Sequence, residues 1–181
     1  MDFLGDSQKN LESEATSSAR RFGIYLVCDS ADLPEGGRLH TQVDNRFVTL
    51  FRINGKLSAI DAVCHHAGGP LTLGNLADIE DLGDMVVVKC PWHRFSVCIS
   101  TGVKAYQAVS VIDGKPVNKG WVTGSIVQRA FPVFEEDGKV YLRYFVEGSC
   151  ASDKDSTNGL CMKPYELFTN PACFVRPLDV N

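Results

Sequence analysis

A stretch of nine residues, VCHHAGGPL at positions 63–71, combines side chains that bind metals with residues that shape tight loops. Cys64 is followed directly by His65 and His66. Thiolate and imidazole are both common metal ligands, but one cysteine and one histidine cannot hold a metal alone. The stretch therefore predicts half of a metal site and leaves open which histidine is the ligand.

The other half is predicted by KCPWHRFSV at positions 89–97, where Cys90 and His93 are separated by two residues. Each stretch follows a strand-like run, LSAIDAV in one case and MVVVK in the other. Two loops at strand ends, each with one cysteine and one histidine, are a much stronger signal than either spacing alone. We expect them to form one site with two cysteines and two histidines.

Two kinds of metal centre use such a set. Tetrahedral zinc accepts it, although zinc fingers usually take both cysteines from one segment and both histidines from another. A [2Fe–2S] centre with mixed ligands requires two cysteines on one iron and two histidines on the other, which two facing loops would supply. Gly68 and Gly69 lack side chains, so their backbone could approach bridging sulfides closely, and Pro70 would stiffen the end of the loop.

The remainder of the chain predicts an all-β fold. RFGIYLVC, RFVTLFRI, KLSAID, MVVVKC and KVYLRYFV have the composition of strands, and no amphipathic helix pattern exceeds three turns. Asn54-Gly55 predicts a type I′ hairpin turn, and Asp137-Gly138 predicts a second tight hairpin. Short strands with regular turns favour a β-sandwich or barrel-like domain. One face of the last strand is predicted to carry Val140, Leu142, Tyr144 and Val146, with Arg143 on the other.

Three segments do not follow this pattern. Residues 1–20 are rich in Ser and Glu and lack periodicity, which predicts a disordered leader before a domain of residues 21–147. Residues 148–181 predict an irregular tail. Residues 75–84, NLADIEDLGD, are predicted to form an acidic loop between the two metal stretches. This loop could dock a protein partner through Asp78, Glu80, Asp81 and Asp84.

Composition narrows the range of functions. The 181-residue chain has a net charge of −4, which argues against nucleic-acid binding. No apolar run reaches the roughly 20 residues of a membrane span, and the first residues match neither a secretory signal nor a transit peptide, so we expect a cytoplasmic protein without membrane contact. Seven cysteines cannot form a complete disulfide framework. Those outside the metal stretches are expected to be small buried side chains or thiols: Cys28, Cys98, Cys150, Cys161 and Cys173.

CHHAGGPL followed by CPWH resembles the paired cluster-binding boxes of Rieske proteins. ADLPEGGRL, RFVTLFRINGKLSAIDAVC and the DGKVYL hairpin also resemble Rieske-type ferredoxins, most nearly the soluble Rieske domain-containing proteins of animals, over about residues 22–146. The resemblance implies an antiparallel β-sandwich with a small cluster-binding subdomain formed by two loops. It also implies one [2Fe–2S] cluster per chain and these ligands: Cys64, His66, Cys90 and His93.

The two histidines that this ligand set omits have other expected roles. His65 occupies a variable position of the family pattern, and we expect a loop side chain that is exposed or hydrogen-bonded. His40 lies in the strand-like RLHTQV and is expected to be structural or solvent-facing.

The sequence departs from the family pattern at several positions. Arg94 replaces the usual glycine after the second histidine, which could restrain the loop or bring a positive charge near the cluster. Gly69 and Trp92 occupy the positions of the disulfide of respiratory-chain Rieske proteins, so that bond cannot form. Phe95 and Val97 replace the hydroxyl side chains that hydrogen-bond the cluster in those proteins. We therefore expect a reduction potential near the low end of the range for this class, roughly −150 to +300 mV.

The resemblance implies a monomeric one-electron carrier that passes electrons from a reductase to an oxygenase-type acceptor and performs no substrate chemistry of its own. A complete oxygenase would also need a mononuclear iron with two histidines and a carboxylate, and only His40 and His65 remain once the cluster is bound. A structural zinc module remains the alternative from outside redox chemistry. A nucleophilic cysteine enzyme is disfavoured because neither an oxyanion-stabilising group nor a third orienting group is evident.

Overall fold

The structure, a computed structural model, describes residues 22–154 and the backbone of residues 174 and 175. The predicted leader and most of the predicted tail lie outside these residues. Helical segments in the described part are short 3-10 turns, and none is long and apolar enough to cross a membrane. The strands are β1 (Phe22–Asp29), β2 (Arg38–Val43), β3 (Arg46–Ile53), β4 (Lys56–Asp61), β5 (Asn75–Ile79), β6 (Met85–Lys89), β7 (Ser96–Cys98), β8 (Val103–Ile112), β9 (Lys115–Ile126), β10 (Ala130–Phe131), β11 (Val133–Glu136), β12 (Lys139–Phe145) and β13 (Phe174–Val175).

Two sheets form the body of the domain. One has the order β1-β12-β11 and the other the order β10-β4-β3-β2-β13. Their inner faces share one hydrophobic core, in which Val48 and Leu50 of β3 lie in the same fully buried cluster as Val140 and Leu142 of β12. Along β12 the exposed Arg143 alternates with these residues, as the sequence predicted. The described strands pair antiparallel except β13, which joins β2 in parallel, so the predicted antiparallel sandwich is confirmed.

Tight turns set the register of the hairpins. The β3–β4 turn places Asn54 and Gly55 at φ 53° and 70°, and the β11–β12 turn places Asp137 and Gly138 at φ 50° and 71°. Positive φ at both central residues is the mark of a type I′ turn, which matches the twist of the flanking strands. Both predicted hairpins are therefore present.

The third sheet is an insertion between β4 and β10, with the order β5-β6-β7-β8-β9. It carries two connections that concern the site: the first loop, residues 62–70, which follows β4, and the second loop, residues 90–95, which joins β6 to β7. These two loops and the sheet beneath them form the predicted cluster-binding subdomain.

The prediction that residues 75–84 form a loop was wrong. Residues Asn75–Ile79 form β5, which pairs along its whole length with β6, and the acidic residues that follow form a 3-10 turn at Glu80–Leu82. The reason lies in packing: Ile79 is buried in one cluster with Val87 and Cys98, and this burial outweighs the low strand propensity of the acidic residues.

Candidate metal centre

The first loop is closed at its base by the backbone around Cys64. The Cys64 amide donates a hydrogen bond to the Gly69 carbonyl at 2.8 Å, and the Gly68 amide donates one to the Cys64 carbonyl at 2.9 Å. Val63 and Pro70 form an isolated β-bridge just outside this closure. Gly68 has φ 76°, a left-handed conformation that glycine adopts without steric cost.

The second loop repeats this closure at the same spacing. The Cys90 amide donates to the Phe95 carbonyl at 2.8 Å, five residues ahead, and the Arg94 amide donates to the Cys90 carbonyl at 2.8 Å, four residues back. Arg94 has φ 60°, so it occupies the left-handed position that Gly68 fills in the first loop. The usual glycine at this position therefore has a conformational reason, and Arg94 adopts the conformation against its steric preference.

The thiols of Cys64 and Cys90 are buried and in contact with each other. The hydrogen bond between them lowers the pKa of Cys90 to about 6 and raises the pKa of Cys64. Backbone amides also point at the sulfurs: those of Trp92 and His93 at Cys90, and that of His66 at Cys64. Hydrogen bonds of this kind favour a thiolate, the form of cysteine that binds metals.

The imidazoles of His66 and His93 meet at the exposed side of the loops. Their ring centroids are 4.7 Å apart and their planes cross at 85°. The Phe95 ring packs against that of His66, with the ring centroids 4.3 Å apart. His65 is half-buried: its ring contacts Phe95 at 5.5 Å, and its Nδ1 is 4.0 Å from the Cys64 sulfur. The structure thus pairs His93 with His66 and not with His65.

The four predicted ligand residues therefore form two pairs, with two thiols buried and two imidazoles exposed. Within the described residues, no three His, Cys, Asp or Glu side chains converge on a point where a single metal ion could bind. This division into pairs is the one that a mixed-ligand [2Fe–2S] centre uses, with two cysteines on one iron and two histidines on the other.

Gly69 faces the second loop at close range. A Cβ atom on Gly69 would lie 2.6 Å from the Cys90 sulfur and 3.2 Å from the Trp92 ring. The two positions that match the respiratory-chain disulfide are thus adjacent here, and the bare glycine lets the loops approach each other.

Gln128 is a site residue that the sequence analysis missed. Its side chain is fully buried, its Nε2 donates to the Val63 carbonyl at 2.6 Å and to the Asp61 carbonyl at 3.0 Å, and its Oε1 accepts the His65 amide at 3.1 Å. One amide therefore fixes both the entry and the tip of the first loop. No local pattern marks this residue, because its partners lie more than 60 positions away.

A buried ion pair supports the first loop from beneath. Asp61 is fully buried at the end of β4, and Arg46 donates to both of its carboxylate oxygens at 2.8 Å. Burial raises the pKa of Asp61 although Arg46 opposes this shift. The buried Ser152 hydroxyl also donates to Asp61, and Asp153 pairs with Arg46 at 2.8 Å.

The other singled-out side chains lie away from the loops or play packing roles. His40 is buried, stacks on Phe47 at 5.7 Å and has its Nδ1 3.0 Å from the Thr72 hydroxyl. Burial lowers the pKa of His40 to about 4, so this histidine is neutral and structural. Cys98 is buried in the third-sheet core, Cys28 and Cys150 are half-buried, and Cys161 and Cys173 lie outside the described residues.

Comparison with known proteins identifies the family to which this chain belongs. The family model of soluble Rieske-type ferredoxins matches residues 25–146. A human Rieske domain-containing protein is 32% identical over 146 residues, which is 80% of this chain and 90% of the human protein. The 3-phenylpropionate/cinnamic acid dioxygenase ferredoxin subunit of Escherichia coli K12 is 34% identical over 79 residues, covering 44% of this chain and 67% of that subunit.

Among solved structures, one chain from the oxygenase–ferredoxin complex of carbazole 1,9a-dioxygenase superposes on this chain with a TM-score of 0.51 and 21% sequence identity. The match covers 72% of this chain and 30% of that chain, and it supports the fold. The family match covers well over half of the chain and contains both loops. The chain therefore belongs to the soluble Rieske-type ferredoxin family, whose members are iron–sulfur proteins of electron transport.

Proposed function

We propose that the protein is a one-electron carrier that holds one [2Fe–2S] cluster, with Cys64 and Cys90 on one iron and His66 and His93 on the other. The observation that carries this proposal is the separation of the two contacting thiols, which are buried, from the two contacting imidazoles, which are exposed. A mixed-ligand [2Fe–2S] centre requires this division, whereas a zinc ion would need all four side chains around one point.

The residues of this chain would shift the reduction potential of the cluster in two opposing directions. Neutral imidazoles in place of two thiolates leave the site less negative, which raises the potential above that of all-cysteine clusters. Phe95 and Val97 offer no hydroxyl donor, and the groups that face the cysteine sulfurs include the backbone amides of His66 and Trp92 and the ring of His65. We therefore propose a potential near the low end of the roughly −150 to +300 mV range.

Exposure of His66 and His93 makes their edge the point where a redox partner would dock. The relatives of this chain include the ferredoxin subunit of a dioxygenase, which supports an oxygenase-type protein as electron acceptor. We propose a reductase as the electron donor. We propose that the protein serves them as a cytoplasmic monomer and performs no substrate chemistry itself.

The acidic residues at the end of β5 and in the turn before β6 would assist docking only from a distance. Asp78, Glu80, Asp81 and Asp84 are all exposed. They lie at the opposite end of β6 from Cys90, and five strand residues span about 17 Å. We propose that this turn steers a partner electrostatically, so neutralising the four residues should slow electron transfer at low salt and leave the rate at high salt unchanged. A rate that is unchanged at low salt would refute the steering role.

The decisive experiment is anaerobic purification followed by iron and acid-labile sulfide analysis, a visible spectrum and an electron paramagnetic resonance spectrum of the reduced protein. We expect two irons and two sulfides per chain. His66→Ala should lose the cluster, and His65→Ala, the matched neighbour, should retain it. One zinc with no sulfide would establish the zinc module instead, and cluster loss confined to His65→Ala would overturn the ligand assignment.

A further inference from the structure

The segment of residues 147–154 lies beyond the region that the family model matches, yet it contacts the first loop directly. The Lys154 ammonium donates a hydrogen bond to the His66 carbonyl at 3.2 Å. Lys154 is exposed, and an exposed lysine ordinarily samples many rotamers and contributes little. Its importance therefore depends on how firmly its backbone is held.

Asp153 holds that backbone in place. Its carboxylate accepts hydrogen bonds from the Cys150 amide at 2.7 Å and from Arg46 at 2.8 Å. It also accepts hydrogen bonds from the Nε and Nη2 atoms of Arg129, at 2.5 and 2.6 Å. Arg129 in turn donates to the carbonyls of Glu147 at 3.0 Å and Gly148 at 2.6 Å. The segment is thus closed on itself around two arginines of the domain.

Ser152 fixes the segment at a second point. Its side chain is fully buried, its hydroxyl donates to Asp61, and its oxygen accepts the Arg129 amide at 3.2 Å. Asp61 lies three residues before Cys64 and pairs with Arg46, so the segment and the first loop share one buried network. The Cα atom of Lys154 is therefore set in a defined position beside the loop.

From this geometry we infer that Lys154 is a positioning residue for the redox chemistry. The segment of residues 147–154 holds the positive charge of Lys154 against the first loop, and this charge raises the reduction potential of the cluster. This inference rests on the proposed [2Fe–2S] site. Reduction adds one negative charge to the site, and a nearby cation stabilises the more negative state. Because Lys154 is exposed, salt should screen the effect.

The test is the midpoint potential of the intact protein, measured by voltammetry at ionic strengths of about 0.01 M and about 1 M, where the Debye lengths are about 30 and 3 Å. We expect Lys154→Gln to shift the potential to more negative values at low salt and by less at high salt, with an unchanged visible spectrum. Lys154→Arg should keep the wild-type potential. The control is Lys115→Gln, an exposed lysine at the far end of the β8–β9 hairpin, which should also leave the potential unchanged.

Ser152→Ala tests whether the segment fixes the charge, because it removes an anchor of the segment without changing any charge. Loosening the backbone should shift the potential in the same direction as Lys154→Gln, and a wild-type potential in a cluster-loaded Ser152→Ala would overturn that part. Equal shifts in Lys154→Gln and Lys115→Gln would overturn the inference as a whole. If the wild-type protein contains no iron or sulfide, the proposed function fails; a normal cluster with no response to Lys154→Gln refutes this inference alone.

Discussion

Replacing Gln128 should loosen the first loop and lower the free energy of unfolding of the protein. Gln128→Met keeps the length of the side chain but removes both donors to the buried carbonyls of Asp61 and Val63, and the acceptor for the His65 amide. A buried polar group left without a partner costs about 1–3 kcal/mol. The two carbonyls lie on fully buried residues, while His65 is half-buried and its amide can regain a water partner. We expect a loss of about 2–6 kcal/mol in the free energy of unfolding, about 1–3 kcal/mol for each carbonyl.

Denaturant unfolding, followed by the fluorescence of the two tryptophans, measures this loss directly. The matched control is Gln107→Met, the same change at an exposed position of β8, which should stay within about 0.5 kcal/mol of the wild type. Gln128→Met should also release iron faster under mild chelation, because the entry of the loop is no longer fixed. If both variants unfold at the wild-type denaturant concentration, the role assigned to Gln128 is wrong.

Three further predictions follow from single contacts or backbone angles. Arg94→Gly should raise the free energy of unfolding by about 0.5–1 kcal/mol, since glycine relieves the left-handed strain at some entropic cost. Gly68→Ala, at the equivalent position of the first loop, should lower it. If denaturant unfolding shows the same change in free energy for both variants, the two loops do not share this closure. Gly69→Ala should reduce cluster content, measured as sulfide per chain, because the added methyl meets the Cys90 sulfur; full occupancy would show that the loops can separate. Burial lowers the pKa of His40 from its ordinary value of about 6.5 to about 4, so the unfolded chain binds the proton first. The protein should therefore lose stability as the pH falls from about 6.5 to about 4, by at most about 3 kcal/mol. An equally steep decline in His40→Gln would exclude His40 as the source of this loss.

The elements that sequence predicted well are those with a strong local signal. β3 begins and ends where the apolar run RFVTLFRI does, and Asn54-Gly55 forms the turn after it. Burial on both inner faces of the sandwich selects apolar residues, and a tight turn selects Asn-Gly or Asp-Gly, so local composition is informative there.

The elements that sequence predicted poorly are those whose stability comes from distant contacts. β5 was hidden because its acidic residues resemble a loop, and its pairing with β6 is what makes it a strand. The β8–β9 hairpin was missed because exposed apolar residues such as Val109 and Val111 obscure the alternation of its faces, although Asp113-Gly114 at its turn is a usable signal. The contacts of Asp153 with two arginines carry no sequence pattern at all.

The division of the proposed ligands between interior and surface follows from one property that the two loops share. In each loop the cysteine sits at the base, where its own amide and carbonyl close the loop to the residues five and four positions ahead. The cysteine at the base of each loop adjoins a strand and is buried with it. Residues two and three positions after the cysteine lie at the tip of the loop. His66 is two residues after Cys64 and His93 three residues after Cys90, so both imidazoles are placed at the tips whichever spacing is used. The exposed histidine edge is therefore a consequence of where the closure falls, and any substitution that moves the closure should alter which ligands a partner can reach.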